Sequence, residues 1–336
     1  MSNGVGIDLG ADTIRVATID DGIIAREPSL LAVDKTSARI LALGQETGEV
    51  VRINPNAILM RPFSRGFLAR KNITRYVLNE VSSAMTFGMT AAVAVPCNYS
   101  ASDAEQLFAL MREGGFAGGR LVYSPIAAKL GCNISPDVDC LFVNVGCVVT
   151  DILLSLDGRI AYMESMPMAG AQLDRGILDF MAREKGIRIT PSAAEQLKKR
   201  IGTAWTDGED MSVNVSGESL NSGAEQVVTV SATELMAAFE ETVTILVEHI
   251  CGALRRVPLN RVESMFKNGI YLVGGGASLL GLDRLIGALT GVHTTLVPQA
   301  SDVVALGLSR VSALSRDLPA EAALLSRVAP YTYEPG

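Results

Sequence analysis

Charged residues are scarce in this chain of 336 residues, and their scarcity excludes one large class of partner. Asp, Glu, Lys and Arg make up 19% of the residues, below the roughly 25% of an average soluble chain, and hydrophobic residues make up 48%. The net charge is -7 and no run of basic residues occurs, so the chain is poorly suited to neutralise a nucleic-acid backbone. We therefore expect a large apolar core and no nucleic-acid partner.

Histidine and paired cysteines are also lacking. The chain has two histidines and five cysteines, an odd number without any CxxC spacing. A zinc site or a disulfide framework would need such spacing or an even set of cysteines. We expect free thiols in a reducing cytoplasm.

Long apolar runs are absent as well. No uninterrupted stretch reaches the ~20 residues that a transmembrane helix needs. The first apolar strand begins within five residues of the start, which leaves no room for a signal peptide. The expected location is the cytoplasm, with contact at the inner face of the cell membrane left open.

A strand, a tight turn and a returning strand open the chain, and the same element recurs later. Val5 to Leu9 is an apolar strand, and Ile14 to Ile19 returns after a short turn. The segment Val143 to Ser155 repeats this order about 135 residues further on, which indicates an internal duplication. We expect two similar α/β lobes around a cleft.

Apolar spacing places helices between these strands. Ser102 to Arg112 reads as a helix, with Ser102 as its N-cap and Glu105 three residues later. Ala232 to Arg255 reads as a long amphipathic helix that leads to a strand and a glycine loop. The tail from Tyr331 to Gly336 is expected to be loose.

Several short segments, in this order along the chain, resemble the MreB type of bacterial actin homologue, within the superfamily of actin, sugar kinases and seventy-kilodalton chaperones. The resemblance runs from residue 4 to about residue 315, and eight ordered matches are far more specific than a lone glycine triplet. The matching segments are Gly6 to Gly10, Glu27-Pro28-Ser29, Arg61-Pro62, Val93 to Pro96, Pro125 to Ala128, Ala194 to Lys198 with Ile201-Gly202, Gly269 to Ala277 and Leu279 to Asp283.

The resemblance implies an actin-like fold in which two α/β lobes enclose a nucleotide cleft. Residues 1–32, 63–140 and 312–336 would form the core of the first lobe, with 33–62 as its small insertion. Residues 141–182 and 246–311 would form the core of the second lobe, with 183–245 as its insertion.

The resemblance also implies a ligand, ATP or ADP with Mg²⁺. Turn backbone N–H groups would face the phosphates, Asp8 would hold hydrated Mg²⁺, and Glu195 with Lys198 would lie near ribose and base. For these last two the alternative is a surface ion pair. The residues implied are Asp8, Gly10, Ala11, Asp12, Thr13, Gly146, Cys147, Glu195, Lys198, Gly274, Gly275, Gly276 and Ala277.

The chain departs from the family pattern on the phosphate side. The second turn reads Asn144 to Thr150, with Cys147 and Val148 where the family has glycines and Asn144 where it has aspartate. Ala11 lacks the usual hydroxyl, and Asp12 adds a negative charge that would repel phosphate.

The hydrolytic position departs too. Ser124 stands where family members carry a glutamate that orients or activates water, and a serine alone is no base near neutral pH. These departures predict an ATPase that is weak at most, with no catalytic residue at the degenerate positions Ser124 and Asn144. Nucleotide bound through its adenosine side and an empty cleft both stay open.

Met85, Phe87 and Met89 lie just before the strand that begins near Ala91. In MreB relatives a hydrophobic loop at this place inserts into the membrane, and solvent exposure would be costly for these side chains. The alternative is that they fold back onto the core.

The resemblance implies a cytoskeletal protein of the cell-shape class that assembles into filaments. A non-polymerising pseudo-ATPase that regulates or scaffolds another actin homologue, or other cell-shape proteins, is the alternative. A sugar kinase is disfavoured because no catalytic carboxylate is evident. A chaperone ATPase is disfavoured because a substrate-binding domain is not seen after residue 330.

Overall fold

The computed structural model describes residues 4–63, 71–83, 88–208, 210–315 and 317–333. The chain divides into two compact units. The first consists of Met1–Asp137 with Ser301–Gly336, and the second is Val138–Ala300.

A six-stranded sheet forms the centre of the first unit. Its strands are β1 (Gly4–Leu9), β2 (Thr13–Thr18), β3 (Gly22–Pro28), β7 (Thr90–Val95), β8 (Gly118–Tyr123) and β17 (Tyr331–Tyr333). Strands β1 and β2 are the antiparallel hairpin expected at the start of the chain, β7 and β8 run parallel to β1, and the order across the sheet is β17-β8-β7-β1-β2-β3.

An insertion with its own sheet follows β3. Strands β4 (Leu31–Asp34), β5 (Ile40–Leu43) and β6 (Ala57–Met60) pair in the order β5-β4-β6. Helix α1 (Thr47–Ile53) packs against all three strands. Leu31 and Val33 are buried together with Ile73, so this sheet has a small apolar core.

Helices cover the larger sheet. They are α2 (Lys71–Ser83), α3 (Ala101–Glu113), α4 (Ser124–Gly131), α10 (Val303–Ala313) and α11 (Pro319–Val328). The N-cap of helix α3 lies two residues earlier than expected: the Ser100 side chain, and not that of Ser102, accepts a hydrogen bond from the Asp103 N–H at 3.1 Å.

The second unit repeats the topology of the first. Strands β9 (Cys140–Val145) and β10 (Thr150–Leu156) form an antiparallel hairpin, β11 (Arg159–Met166) follows them, and β15 (Ile270–Val273) and β16 (Thr294–Leu296) run parallel to β9. The order β11-β10-β9-β15-β16 matches β3-β2-β1-β7-β8 strand for strand. The predicted duplication is therefore present in the strand order of both sheets.

The rest of the second unit is built on helices and a second small sheet. The helices are α5 (Gly170–Arg183), α6 (Pro191–Ile201), α7 (Ala232–Leu254), α8 (Val262–Asn268) and α9 (Leu282–Thr290). Strands β12 (Ile187–Arg188), β13 (Ser212–Ser219) and β14 (Glu225–Ser231) pair in that order. Buried side chains of α5 and α7, such as Ile177 and Phe239, belong to one core with β9 and β10.

The predicted lobe boundary near residue 312 was wrong. Residues 301–311 belong to the first unit, because α10 packs on β1 and α4. The helix lies so close to β1 that a Cβ on Gly6 would fall 2.3 Å from the Ser309 backbone nitrogen. Because the two segments are about 300 residues apart, no local sequence pattern predicts that they are in contact.

The expectation of a loose tail was wrong for residues 331–333. These residues form β17, which pairs antiparallel with the outer strand β8. The Tyr333 ring occupies the space that a Cβ on Gly119 would need and packs edge-on against Phe108, with ring centroids 5.0 Å apart. Its hydroxyl donates to the Phe116 carbonyl at 3.1 Å. The tail therefore covers an edge of the sheet that would otherwise be open.

Candidate functional site

The turn between β1 and β2 is held in one shape by its own backbone and by Ser29. The Ser29 N–H donates to the Asp12 carbonyl at 2.8 Å, and the Ser29 hydroxyl donates to the Gly10 carbonyl. A Cβ on Gly10 would lie 2.6 Å from the Thr13 carbonyl oxygen, so only glycine fits there. The buried Ser29 was part of the Glu-Pro-Ser match, and the structure shows that it braces the turn.

The carboxylate of Asp12 is paired. Arg61, directly after β6, donates from Nη1 to Asp12 Oδ1 at 3.0 Å, and the Thr13 hydroxyl donates to Asp12 Oδ2 at 3.2 Å. The neighbouring Ala11 offers no side-chain donor. The negative charge that sequence analysis expected beside the phosphates is thus offset by a guanidinium from the insertion.

Asp8 lies on β1 opposite Arg15 of β2, and both belong to a cluster of charged side chains. Asp302 accepts from Arg15 Nε at 3.1 Å and from Arg26 Nη2 at 2.7 Å. Burial raises the pKa of the Asp8 carboxyl to about 6, against the opposing effect of Arg15, and Asp302 adds to the rise.

Hydrated Mg²⁺ in a phosphate site needs only one or two carboxylates from the protein, because phosphates and waters supply the other oxygens. Asp8 could be such a carboxylate. Asp8 is partly buried, which disfavours its ionised form and raises its pKa, and a divalent cation would offset the negative charge. Bound Mg²⁺ would supply charge neutralisation for the phosphates, and Asp8 would orient its water shell.

Ser124 follows β8, at the same sheet edge as the first turn, because β1 and β8 both run parallel to β7. Its hydroxyl donates to the Val95 carbonyl at 3.1 Å, a bond that fixes the start of α4. The side chain at the expected hydrolytic position is therefore occupied by a structural hydrogen bond, and it carries no carboxylate.

The second turn, between β9 and β10, has an unstrained backbone. Neither Cys147 nor Val148 has a positive φ, so the two residues that replace glycines fit this turn without the strain of a left-handed backbone conformation. The carbonyls of Gly146 and Cys147 accept hydrogen bonds from Gly170 and Ala171 at 3.1 and 2.7 Å. The first N–H groups of α5, which could otherwise bind an anion, are used by this turn.

The glycine loop after β15 packs directly on the second turn. Gly274 has φ +86°, and a Cβ there would lie 2.5 Å from Asn144 Oδ1 and 2.4 Å from the Val145 carbonyl oxygen. A Cβ on Gly276 would lie 2.9 Å from the Gly146 carbonyl oxygen. These two glycines are required by packing within the unit, whatever the ligand.

The remaining two residues of that loop differ from each other. Apart from the chain neighbours of Gly275, no atom of the described residues lies within 4 Å of a Cβ built there, so this position is accessible to a ligand. The Ala277 methyl is 1% exposed and belongs to the apolar core. Ala277 therefore offers no side-chain surface to a nucleotide, and its placement among the ligand residues has to be corrected.

Glu195 and Lys198 do not act as a pair. Glu195 bonds to Lys199 at 2.6 Å in an (i, i+4) ion pair, so the surface ion pair of Glu195 with Lys198 that was the alternative does not form. Lys198 binds Asp174 at 2.8 Å and donates to the Gly170 carbonyl at 3.0 Å. Its ammonium is 3.5 Å from the Cβ position of Gly170, which itself is 3.4 Å from the Gly146 carbonyl oxygen.

Lys198 thus lies beside the second turn. Asp174, its partner, is a half-buried carboxyl whose pKa is raised by burial, with Lys198 acting in the opposite direction. Asp174, on α5, is a further residue beside this turn that the resemblance does not imply. Asp174 lies four residues after Gly170, about one helical turn along α5, and this spacing is the only local indication that both lie on the same helix face.

Of the three residues expected in a membrane loop, Met89 is buried, with 7% of its surface exposed, and its side chain cannot reach a bilayer without leaving the core. Met85 and Phe87 lie outside the described residues. No helix in the described ranges is both long and apolar enough to cross a membrane.

Comparison with known proteins gives a consistent result. The family model for "MreB/Mbl protein" matches residues 2–318. The cell shape-determining protein Mbl of Bacillus subtilis is 29% identical over 313 residues, which cover 90% of this chain and 93% of the relative.

Solved structures resemble the chain in fold. MreB5 of Spiroplasma citri, solved bound to AMPPNP, superposes with a TM-score of 0.84 at 21% identity and covers 90% of this chain and 94% of its own. The MamK double helical filament gives a TM-score of 0.78 at 18% identity, with coverage of 92% and 98%. The predicted actin-like fold is confirmed.

Proposed function

Because this chain belongs to the MreB/Mbl family, we propose that it is a cytoplasmic cell-shape protein that binds an adenine nucleotide, assembles into filaments and hydrolyses ATP weakly or not at all. The single observation that carries the proposal is the family match over almost the whole chain. It is supported by the first turn, in which Ser29 bonds to the carbonyls of Gly10 and Asp12. The Spiroplasma MreB5 protein has been solved with AMPPNP and with ADP, which supports nucleotide as the ligand.

Weak hydrolysis is proposed on the side chains at two positions. Ser124 has its hydroxyl on the Val95 carbonyl, and Asn144 has no charge with which to orient metal-bound water. Neither can serve as a general base. Binding and assembly need no such group, so they are separable from turnover.

The first expected result is nucleotide-dependent assembly. Concentrated protein with AMPPNP and Mg²⁺ should sediment and show filaments by electron microscopy, and protein without nucleotide should do so less. Gly10→Val is the control, since its side chain would collide with the Thr13 carbonyl and disturb the turn. Nucleotide binding without any filament, over the full concentration range, would favour the alternative of a pseudo-ATPase that scaffolds another actin homologue.

Membrane contact is a separate proposal that rests on the apolar residues Met85 and Phe87. If they anchor the protein, Met85→Ser with Phe87→Ser should abolish co-sedimentation with anionic liposomes. Leu259→Ser is a matched control, because Leu259 is 95% exposed elsewhere on the chain. Unchanged co-sedimentation of the double variant would show that these two residues are not the anchor.

A further inference from the structure

One ion pair joins the first turn to the insertion. Arg61 Nη1 and Asp12 Oδ1 are 3.0 Å apart, and the two side chains are 40% and 42% exposed. They come from segments 49 residues apart, one at the end of β6 and the other in the turn between β1 and β2. A surface ion pair of this kind contributes little stability by itself, about 0–1 kcal/mol. Its position therefore calls for a role other than holding the fold.

The carboxylate of this pair is fixed on both oxygens. Oδ2 of Asp12 accepts from the Thr13 hydroxyl, and the Asp12 carbonyl accepts from the Ser29 N–H. A carboxylate fixed in this way fixes the guanidinium that it binds. Arg61 consequently stands at the turn in a defined orientation, partly open to water.

A guanidinium has five N–H donors in a planar fork, and that fork matches a phosphate as well as a carboxylate. It can bind both at once, whereas a bare Asp12 beside phosphate would only repel it. We propose that Arg61 is a ligand of the nucleotide phosphates and that Asp12 is its positioning residue. This inference rests on the proposed nucleotide binding.

The proposal explains why an aspartate is tolerated in a turn that would face phosphates. The turn has no side-chain hydroxyl at Ala11 that could donate to a phosphate. An arginine from the insertion replaces donors that the chain has lost. The competing explanation is that Arg61 only neutralises Asp12 and never touches the ligand.

A double-mutant cycle separates these two explanations. ATP affinity is measured by titration calorimetry at fixed Mg²⁺ for wild type, Arg61→Ala, Asp12→Ala and the double variant. We expect Arg61→Ala to weaken ATP binding about 10- to 100-fold, the worth of a hydrogen-bonded charge pair. The decisive comparison is between the double variant and the single variant Asp12→Ala. The double variant should bind ATP about 10-fold more weakly than Asp12→Ala.

Equal affinity of the double variant and Asp12→Ala would overturn the proposal, because Arg61 would then matter only through Asp12. Arg61→Gln, which keeps the size of the side chain, guards against a folding defect and should give a similar loss. Arg52→Ala is the matched control: Arg52 is another exposed arginine of the insertion, paired with Glu49 at 3.4 Å, and its loss should change ATP affinity less than about 2-fold.

Adenosine distinguishes this inference from the proposed function. Adenosine should bind wild type and Arg61→Ala equally, since it carries no phosphate. If wild type, Arg61→Ala and Arg61→Gln all bind ATP equally well, the role of Arg61 is overturned and the proposal of nucleotide binding stands. A wild type that binds neither ATP nor adenosine overturns both.

Discussion

Phosphate release by this protein in saturating ATP and Mg²⁺ is expected to be about 10²–10⁴-fold slower than release by a relative with glutamate at the position of Ser124 and aspartate at that of Asn144. The Ser124 hydroxyl donates to the Val95 carbonyl, which is not a base that could accept its proton. Asn144 can accept a hydrogen bond but contributes no charge. The reason is the loss of proton transfer and water orientation, and not the loss of the turns.

The same argument predicts a gain of activity. Ser124→Glu combined with Asn144→Asp should raise turnover, measured as steady-state phosphate release at equal nucleotide occupancy. Ser124→Ala is the control, because it removes the hydrogen bond to Val95 and adds no carboxylate, so turnover should stay at the wild-type level. Wild-type release already at the rate of an ordinary family member would refute the argument, and an unchanged double variant would mean that the second turn is the limiting defect.

The replacement Gly307→Ala should destabilise the first unit by about 3 kcal/mol or more. Helices α4 and α10 touch through their backbones at two glycines. A Cβ on Gly307 would lie 1.8 Å from the Ala127 carbonyl oxygen, and one on Gly131 would lie 1.9 Å from the Val303 carbonyl oxygen. Neither clash can be relieved by a side-chain rotation, because each partner atom belongs to a helix backbone.

Thermal unfolding followed by circular dichroism measures this loss as a drop in the melting temperature. Gly48→Ala serves as the control: Gly48 lies in α1 of the same unit, no atom is within 4 Å of its Cβ position, and alanine there should be neutral or stabilising by up to about 1 kcal/mol. An unchanged melting temperature for Gly307→Ala would show that the two helices can separate without cost.

The parts of the fold that depend on local sequence patterns, such as strands and tight turns, were predictable. The opening strand–turn–strand element and its repeat predicted the hairpins β1–β2 and β9–β10. Helix α10 could not be assigned to its unit, because its contacts with β1 are made across the whole length of the chain. The helix α5 and the strand β17 were missed for similar reasons, since each is stabilised by packing on distant strands.

The turns of the candidate site were predictable from the sequence, but the partners of its side chains were not. The glycine turns were placed correctly on the sequence, because glycine marks close approach. That Arg61 pairs with Asp12, and Lys198 with Asp174, depends on side chains meeting from separate elements. That Cys147 and Val148 avoid positive φ, and that their turn bonds to α5, could likewise not be read from the sequence.

The central claim is that nucleotide supports assembly whose lifetime is not set by hydrolysis. The most direct measurement follows sedimentable polymer and released phosphate together over hours, in ATP and in AMPPNP. We expect equal amounts of polymer in the two nucleotides, with polymer in ATP persisting while phosphate stays near the background. Polymer that forms in ATP and then decays in step with phosphate release, while polymer in AMPPNP persists, would contradict the claim.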